Sequence, residues 1–320
     1  MRRNFAAARQ AATGLAVEGF FRVLSAGSKL HPKARAALES VEVIRDLPYR
    51  ETGNEAHLLD VYRTRDAGSE PLPIVLHIHG GGFRILSKDT HWLMGVAFAR
   101  RGFLVFNINY RLAPENPYPA AIEDACDAYQ WVLDNAERFG GDVSRLFVAG
   151  ESAGANLVTG LTVATSFARP ERYAQAVFER DHQPIAAMPF CGLLQASDLA
   201  RFEGQVPSLV SDRMTQIESA YLGGSITDER AFADPLVLLE NDVAPDRPLP
   251  PFFAPVGGGD PILDDTRRLA QALGRRGVFC ESTHYASEPH AFHAFVFRRN
   301  ARQCWRDAFA FMDRTLREHS

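Results

Sequence analysis

Short apolar runs alternate with helical hydrophobic patterns along most of this chain of 320 residues. The apolar runs predict strands at 73–78, 103–109, 145–149, 184–190, 251–256 and 278–285. The helical patterns predict helices at 89–101, 119–138, 153–167, 263–276 and 300–318. Two further strands are predicted within 42–64, with a turn near Gly53-Asn54. Strands and helices in this order indicate an α/β fold with a mostly parallel central sheet flanked by helices.

Two segments depart from this alternation. Residues 1–40 show a helical pattern that we expect to end near His31-Pro32, and its apolar face needs a partner. Residues 193–233 are polar and irregular apart from a predicted helix at Met214–Leu222. We therefore predict a core formed by 41–192 and 234–320. Residues 1–40 are predicted to be N-terminal cap helices, and residues 193–233 a cap insertion.

Composition and charge narrow the classes of protein. The formal net charge is −4 and the pI about 6.2, so nothing favours nucleic acid or an anionic membrane as a partner. No apolar run has the length of a membrane span. The four cysteines, Cys126, Cys191, Cys280 and Cys304, are scattered without metal-ligand spacing. We therefore expect no metal and a reduced protein in the cytoplasm.

The first residues raise the alternative of export. Arg2-Arg3-Asn4-Phe5 faintly resembles a twin-arginine signal. Arg9, Glu18 and Arg22 interrupt the apolar core that such a signal needs. We therefore favour an amphipathic helix and a cytoplasmic location over a cleaved leader.

The string Gly150-Glu151-Ser152-Ala153-Gly154 stands between a predicted strand and a predicted helix. A serine in a G-x-S-x-G turn of this kind is pushed out at the end of a sheet, where a base can reach its hydroxyl. The flanking glycines fit because side chains there would crowd the turn. Ser152 is therefore the candidate nucleophile; the alternative is an ordinary helix N-cap.

A second glycine-rich string, His79-Gly80-Gly81-Gly82, follows the predicted strand 73–78. Its backbone can approach a reacting carbonyl closely enough for N–H groups to stabilise negative charge. We expect the N–H groups of Gly81, Gly82 and Ala153 to form an oxyanion hole. His79 and Gly80 are expected to support this loop. A flexible hairpin is the alternative for this string alone, but it does not explain both strings together.

With these motifs the chain resembles the bacterial hormone-sensitive-lipase-like esterases (family IV), a branch of the α/β-hydrolase superfamily. The similarity extends over about residues 40–318 and includes Tyr110–Ala120, Asp260–Asp264 and His290-Ala291-Phe292. The resemblance implies an α/β-hydrolase fold with a small helical cap. The chain departs from the family pattern in having Glu151 for Asp or Thr, and Ala155 and Ala291 for Gly.

The catalytic base and acid are sought downstream of Ser152. His290 follows Glu288-Pro289 in a predicted loop, and His293 is its rival three residues later. The family resemblance selects His290. Asp260 is the first carboxylate after the predicted strand 251–256, where it could orient the histidine. Asp264 and Asp265 are interpreted as favourable charges at a helix N-terminus.

Residues for the substrate pocket are less sharply indicated. Phe83, Trp92 and Glu151 are candidates, together with the 193–233 insertion. The alternatives are core packing for the two aromatic residues and a partly solvated position for Glu151. Arg111, Glu115 and Asp124 are predicted to form an ion-pair network under the site.

The resulting hypothesis is a serine carboxylesterase that hydrolyses short- to medium-chain carboxylic esters through an acyl-enzyme. Its partner is a small-molecule ester, no cofactor is expected, and a homodimer is allowed. An amidase or lactonase with the same triad is the alternative enzyme. A non-catalytic ligand-binding homologue is a third reading, but such proteins are expected to lose a triad member, and all three are present here.

Overall fold

An eight-stranded sheet forms the centre of the computed structural model, which describes residues 30–223 and 230–319 together with positions 19, 23, 25, 27 and 29. Two further strands form a small second sheet. In chain order the strands are β1 (Val41–Pro48), β2 (Leu58–Thr64), β3 (Leu72–Ile78), β4 (Leu104–Ile108), β5 (Gly141–Glu151), β6 (Ala186–Phe190), β7 (Phe252–Phe253), β8 (Val256–Gly257), β9 (Cys280–Glu281) and β10 (His284–Tyr285).

Helices cover both faces of the main sheet. They are α1 (Pro32–Glu39), α2 (Trp92–Ala99), α3 (Ala120–Asn135), α4 (Ala153–Ser166), α5 (Arg172–Phe178), α6 (Ser208–Leu222), α7 (Pro235–Glu240), α8 (Leu263–Arg275) and α9 (Arg299–Glu318). Within the part of the chain that the structure describes, no helix is long and apolar enough to cross a membrane.

The strand order determines which edge of the sheet can hold a ligand. The main sheet runs β1-β2-β4-β3-β5-β6-β7-β9, with β1, β2 and β4 paired antiparallel and the remaining neighbours parallel. Since β3, β5 and β6 are parallel neighbours, their carboxyl ends meet at the same edge. Ligands of open α/β sheets bind beyond these ends.

The core lies on both faces of the sheet because side chains alternate along each strand. In β3, Ile74, Leu76 and Ile78 belong to one hydrophobic cluster with residues of α3 and α4. Val75 faces the other way, into a cluster with residues of α2 and α9. Burial of each large aliphatic side chain stabilises the fold by roughly 1.5–3 kcal/mol.

The predicted alternation and the mostly parallel sheet are confirmed. The expected helix end near His31-Pro32 is confirmed, because position 29 is helical, residues 30 and 31 form a turn, and a separate helix, α1, begins at Pro32, where proline suits the first helical turn. The predicted strands 251–256 and 278–285 are each divided into two short strands. Pro255 lacks the N–H that would continue the first of them. The helices α5 and α7 were not predicted.

The insertion at 193–233 extends over the carboxyl edge of the sheet through α6, which is longer than the predicted helix. The Phe83 and Tyr221 rings stack with centroids 3.6 Å apart. Glu218 accepts hydrogen bonds from the backbone N–H groups of Asp198 and Leu199, 2.8 Å each. The ring stack holds α6 against the loop after β3, and the Glu218 hydrogen bonds hold it against the first part of the insertion.

The N-terminal part of the predicted cap lies mostly outside the described residues. Its described helix, α1, packs through Ala34, Ala37 and Leu38 against the second core cluster. The residues of α6 pack with the first cluster. In the described residues, α1 and α6 thus pack on different core clusters.

A buried ion pair anchors the start of the insertion to α8. The Asp265 carboxylate accepts hydrogen bonds from the N–H groups of Leu194 (2.9 Å) and Gln195 (3.1 Å). Its other oxygen lies 2.7 Å from Arg201 Nη2. Burial raises the pKa of Asp265, although the Arg201 charge opposes this. The structure thus gives Asp265 a larger role than charge at a helix N-terminus.

Replacing Asp265 by Ala should lower the free energy of unfolding by about 3–5 kcal/mol, because it leaves Arg201 and two N–H groups unpaired. Asp264→Ala is the matched control, since the exposed Asp264 begins the same helix turn and should cost less than about 1 kcal/mol. Urea unfolding measures both. Equal losses in the two variants would contradict a special role for Asp265.

Candidate active site

The candidate nucleophile, Ser152, lies in a strained turn between β5 and α4. Ser152 has φ 54° and ψ −114°, in a region that non-glycine residues rarely adopt. Its N–H donates to Phe190 O at 2.9 Å, and its carbonyl accepts from Leu193 N at 3.2 Å. A Cβ at Gly154 would lie 2.1 Å from Ile78 O. The turn therefore packs directly on the end of β3 and fixes where the serine points.

Two backbone loops bring Asp260 and His290 together. They follow β8 and β10, which pair in parallel. Gly259 N donates to Glu288 O at 2.9 Å, and a Cβ at Gly257 would lie 2.1 Å from that same oxygen. The His290 Nδ1 lies 2.9 Å from Asp260 Oδ2. This contact places the proton on Nδ1 and leaves Nε2 free to accept one.

The electrostatics of this pair suit a base. The Asp260 side chain is fully buried, whereas the His290 side chain is 33% exposed. Burial lowers the pKa of His290, but the Asp260 charge and hydrogen bond outweigh it, so the pKa is raised above its ordinary value. The Asp260 Oδ1 accepts a hydrogen bond from Ile262 N at 3.0 Å, which fixes the carboxylate.

The glycine loop presents free donors. Among the hydrogen bonds of the residues that the structure describes, none is donated by the N–H groups of Gly81, Gly82 or Ala153. Gly81 and Gly82 have φ values of 119° and 60°, which favour glycine. Ala153 opens α4, so its N–H also lies at the positive end of a helix.

His79 makes contacts that suit its predicted role of supporting this loop. Its Nδ1 lies 2.7 Å from Gly80 O, and its ring stacks on Tyr110 with centroids 4.3 Å apart. The Tyr110 hydroxyl donates to His79 O at 3.0 Å. Burial, helped by the charge of His91, lowers the pKa of His79 to about 3. The His79 ring is therefore neutral and serves to hold the loop in place.

The predicted ion-pair network needs a correction. Arg111 does bind Asp124, with Arg111 Nε 2.9 Å from Asp124 Oδ2. The second carboxylate is Glu123, whose Oε2 lies 2.9 Å from Arg111 Nη2. Glu115 is exposed, and among the described residues it forms no ion pair with Arg111. One residue of α3 thus replaces a residue of the preceding loop.

Glu151, directly before the nucleophile, bridges two buried histidines. Its Oε1 lies 2.6 Å from His91 Nε2, and its Oε2 lies 2.7 Å from His293 Nε2. The His91 Nδ1 faces Ser87 O at 3.0 Å, so both ring nitrogens of His91 face acceptors. This arrangement favours the imidazolium form of His91, whose charge would neutralise the Glu151 carboxylate. Of the alternatives weighed for Glu151, the solvated neighbour is excluded by its burial.

The pKa shifts agree with this arrangement. Burial would raise the pKa of Glu151, but His91 and His293 hold it well below its ordinary value. Burial would lower the pKa of His91, but Glu151 raises it. The Glu151 charge also raises the pKa of His290. Glu151 thus acts on the candidate base although it does not touch it directly.

His91 and the role of His293 were missed by the sequence analysis. Both contact Glu151, from positions 60 and 142 residues away along the chain. No spacing rule could find such a pair. The only signal in the sequence is an acidic residue, Glu151, placed between an apolar strand and the G-x-S-x-G serine. Such a position implies a buried counterion, but it does not identify which residue supplies it.

The structure separates the three candidate pocket residues. Phe83 is buried against Tyr221 of the insertion, next to the glycine loop. Trp92 is buried in the second core cluster on the other face of the sheet, with Lys29 Nζ 5.7 Å from its ring centre. Glu151 is engaged by its histidines. Trp92 is therefore a core residue rather than a neighbour of the glycine loop.

A groove of about 780 Å³ lies elsewhere, and its lining includes Pro251, Val278 and Phe279. These residues precede β7 and β9, so the groove opens at the amino ends of the strands. Ser152, Asp260 and His290 all follow carboxyl ends. The groove is therefore remote from the candidate chemistry.

The chain is similar to known α/β hydrolases and esterases. A family model described as the alpha/beta hydrolase fold matches residues 75–294. A carboxylesterase of Mycobacterium tuberculosis, NlhH, is 33% identical over 229 residues, which cover 70% of this chain and 67% of the relative.

Two solved structures are similar to the whole architecture. The esterase LipW from Mycobacterium marinum matches with a TM-score of 0.75 and 26% identity, covering 97% of this chain and 90% of that one. An esterase from the bacterial hormone-sensitive lipase family matches with a TM-score of 0.68 and 27% identity, covering 87% and 85%.

We expect Glu151→Gln to reduce kcat by roughly 10- to 100-fold, because the His91 and His293 contacts that hold the nucleophile turn and the base loop are weakened. The raised pKa of His290 places the acid limb of kcat/KM at a higher pH than an unperturbed histidine would give. Loss of the Glu151 charge should move that limb to lower pH.

Glu151→Asp is the control, since it keeps the charge and should keep the acid limb near the wild-type position. The measurement is the pH profile of kcat/KM for both variants. A purely structural role would lower stability and leave the Gln profile unshifted, which would contradict the electrostatic link to His290.

Proposed function

The chain belongs to the α/β-hydrolase fold family, in its hormone-sensitive-lipase-like branch, and is a carboxylic ester hydrolase; on this premise we propose that Ser152, His290 and Asp260 carry out the hydrolysis. The observation that carries this proposal is the 2.9 Å contact between Asp260 and His290 at the sheet edge where Ser152 stands in its strained turn.

Acylation proceeds as follows in this proposal. Ser152 Oγ attacks the ester carbonyl carbon while His290 Nε2 takes its proton. The carbonyl oxygen becomes an oxyanion and accepts hydrogen bonds from the N–H groups of Gly81, Gly82 and Ala153. Each such donor contributes about 2.7–4 kcal/mol to transition-state stabilisation. The tetrahedral intermediate collapses, the C–O bond to the alcohol breaks, and the alcohol leaves with the proton from His290.

Deacylation repeats the same steps with water. His290 removes a proton from a water molecule, whose oxygen attacks the acyl-enzyme carbonyl. The second tetrahedral intermediate collapses and its bond to Ser152 Oγ breaks. The carboxylic acid leaves, and His290 returns the proton to Ser152 Oγ. Asp260 keeps the His290 ring in one tautomer through both halves and stabilises the imidazolium that forms.

Ser152→Ala and His290→Ala should each reduce kcat on p-nitrophenyl butyrate by about 10⁴-fold or more, because each removes one member of the triad. His293→Ala is the control. It removes the rival imidazole but leaves the Asp260–His290 contact, so its loss should stay below about a hundredfold. A His293 variant that is dead beside an active His290 variant would reverse the assignment of the base.

The cap insertion supports a preference for short to medium acyl chains. A Cβ placed on Gly82 would lie 2.8 Å from Ile217 Cδ1, so the Ile217 side chain of α6 sits directly on the loop that would hold the oxyanion. An ester carbonyl bound there has the helix close beside it. We propose that residues 193–233 act as a cap and that α6 limits the length of the chain.

Ile217→Ala should shift the optimum of a p-nitrophenyl ester series toward longer acyl chains, because it removes side-chain volume next to Gly82. Leu209→Ala, on the same helix, is the control, since Leu209 is 78% exposed and should leave the profile unchanged. The readout is kcat/KM against chain length. Matching amides and lactones in the same screen test the alternative enzyme class, and a higher kcat/KM on either would replace the ester assignment.

The proposal includes a small-molecule ester as the partner and no cofactor. A homodimer and a cytoplasmic location remain predictions, which light scattering and the intact mass of protein from the native host can check. Residues 1–40 remain a proposed cap segment. Removal of residues 1–35 is expected to broaden the chain-length profile or to lower activity, and an unchanged profile would contradict a role as a cap.

A further inference from the structure

Two arginines stand next to the glycine loop from opposite sides. Arg84 directly follows Phe83, and its N–H donates to Gly81 O at 3.2 Å. Arg213 lies on α6 four residues before Ile217, the residue that contacts Gly82. Residues four apart share one face of a helix, so Arg213 faces the same loop. Both guanidinium groups therefore belong to the substrate side of the site.

Neither guanidinium group forms a hydrogen bond or an ion pair with any residue that the structure describes. Arg84 Nε and Nη1 and Arg213 Nη1 are buried without any hydrogen bond. Among the residues that the structure describes, no carboxylate forms an ion pair with either arginine. Glu218, the next acid along α6 after Arg213, uses both oxygens on backbone N–H groups. Burial and the charge of Arg84 lower the pKa of Arg213, which agrees with two like charges placed close together.

Other half-buried arginines of the chain are different. Arg111 pairs with Asp124, Arg201 with Asp265 and Arg268 with Glu240. Arg276, also half-buried, donates instead to three backbone carbonyls. Each of these guanidinium groups therefore has an acceptor within the fold. A buried donor without an acceptor is costly, and more so when it is charged. Two such groups side by side indicate that the missing acceptor arrives with a ligand.

We propose that Arg84 and Arg213 bind an oxyanionic group of the substrate, so that the preferred substrates are carboxylic esters carrying a second, free acid group. Guanidinium groups match the geometry of carboxylate and phosphate oxygens and bind them through paired N–H donors. The site would hold the far end of the substrate while the ester carbonyl lies in the glycine loop. This inference rests on the proposed function and names its substrate class.

The test compares esters that differ only in the acid group. Monoethyl adipate carries a free carboxylate, and ethyl hexanoate is its neutral counterpart of the same acyl length. A second pair, 4-carboxyphenyl butyrate and phenyl butyrate, places the charge on the alcohol side. We expect kcat/KM to favour the charged member of one pair by about tenfold or more, as charge-assisted hydrogen bonds would give.

The arginine variants then test the residues. Arg84→Gln and Arg213→Gln should each lower the charged-to-neutral ratio of kcat/KM by about tenfold, whereas Arg84→Lys, which keeps the charge, should retain most of it. Equal losses on the charged and the neutral ester would mean that the arginines only support the structure. That result would overturn the inference.

A binding measurement covers variants that fail to fold. Calorimetry with Ser152→Ala protein, which keeps both arginines, should show binding of monoethyl adipate and displacement by adipate. Inorganic phosphate, as the second probe, should compete if the site accepts any oxyanion. Wild-type enzyme that hydrolyses neutral esters without preference for charged ones would overturn the inference but leave the proposed function intact. Failure to hydrolyse any ester would overturn the proposed function itself.

Discussion

The close packing of the nucleophile turn on the end of β3 is the constraint on which the site depends. Ile78 and Gly150 are register partners, and a Cβ at Gly154 would collide with Ile78 O. The next residues after Ile78 form the glycine loop. One backbone contact therefore sets both the direction of Ser152 and the position of the oxyanion donors. The strain at Ser152 persists because the surrounding core over-determines it.

Charge arrangement completes what packing begins. The Glu151 carboxylate lies in the same turn and holds His91 on one side and His293 on the other. His293 is three residues after His290, so the loop that carries the proposed base is connected to the turn that carries the proposed nucleophile. A buried anion would be costly alone, but the His91 imidazolium compensates it. The relative position of the nucleophile and base loops thus depends on a pair of charges and not on apolar packing alone.

The sequence predicted the local elements well and the long-range contacts poorly. Periodicity identified β3 and α4, because each buries a continuous apolar segment of its own. The two glycine-rich motifs predicted the turn at Ser152 and the loop after β3, because these backbone conformations require glycines at neighbouring positions. The sequence did not predict the contacts of His91. It also did not predict that Arg111 pairs with Glu123 instead of Glu115. These depend on which side chains meet across distant elements, and no local pattern encodes that.

The insertion links substrate choice to the chemistry through the same loop. Gly82 contacts Ile217, and the Phe83 ring stacks on Tyr221, so α6 rests on the residues that flank the oxyanion donors. A shift of α6 is therefore transmitted to that loop, because the stacked rings and the closely packed backbone leave no free volume between them. The unpaired Arg84 and Arg213 lie on these same two elements. A ligand that joins them would hold the cap and the glycine loop in one arrangement, and so couple binding of the far end of a substrate to stabilisation of its reacting carbonyl.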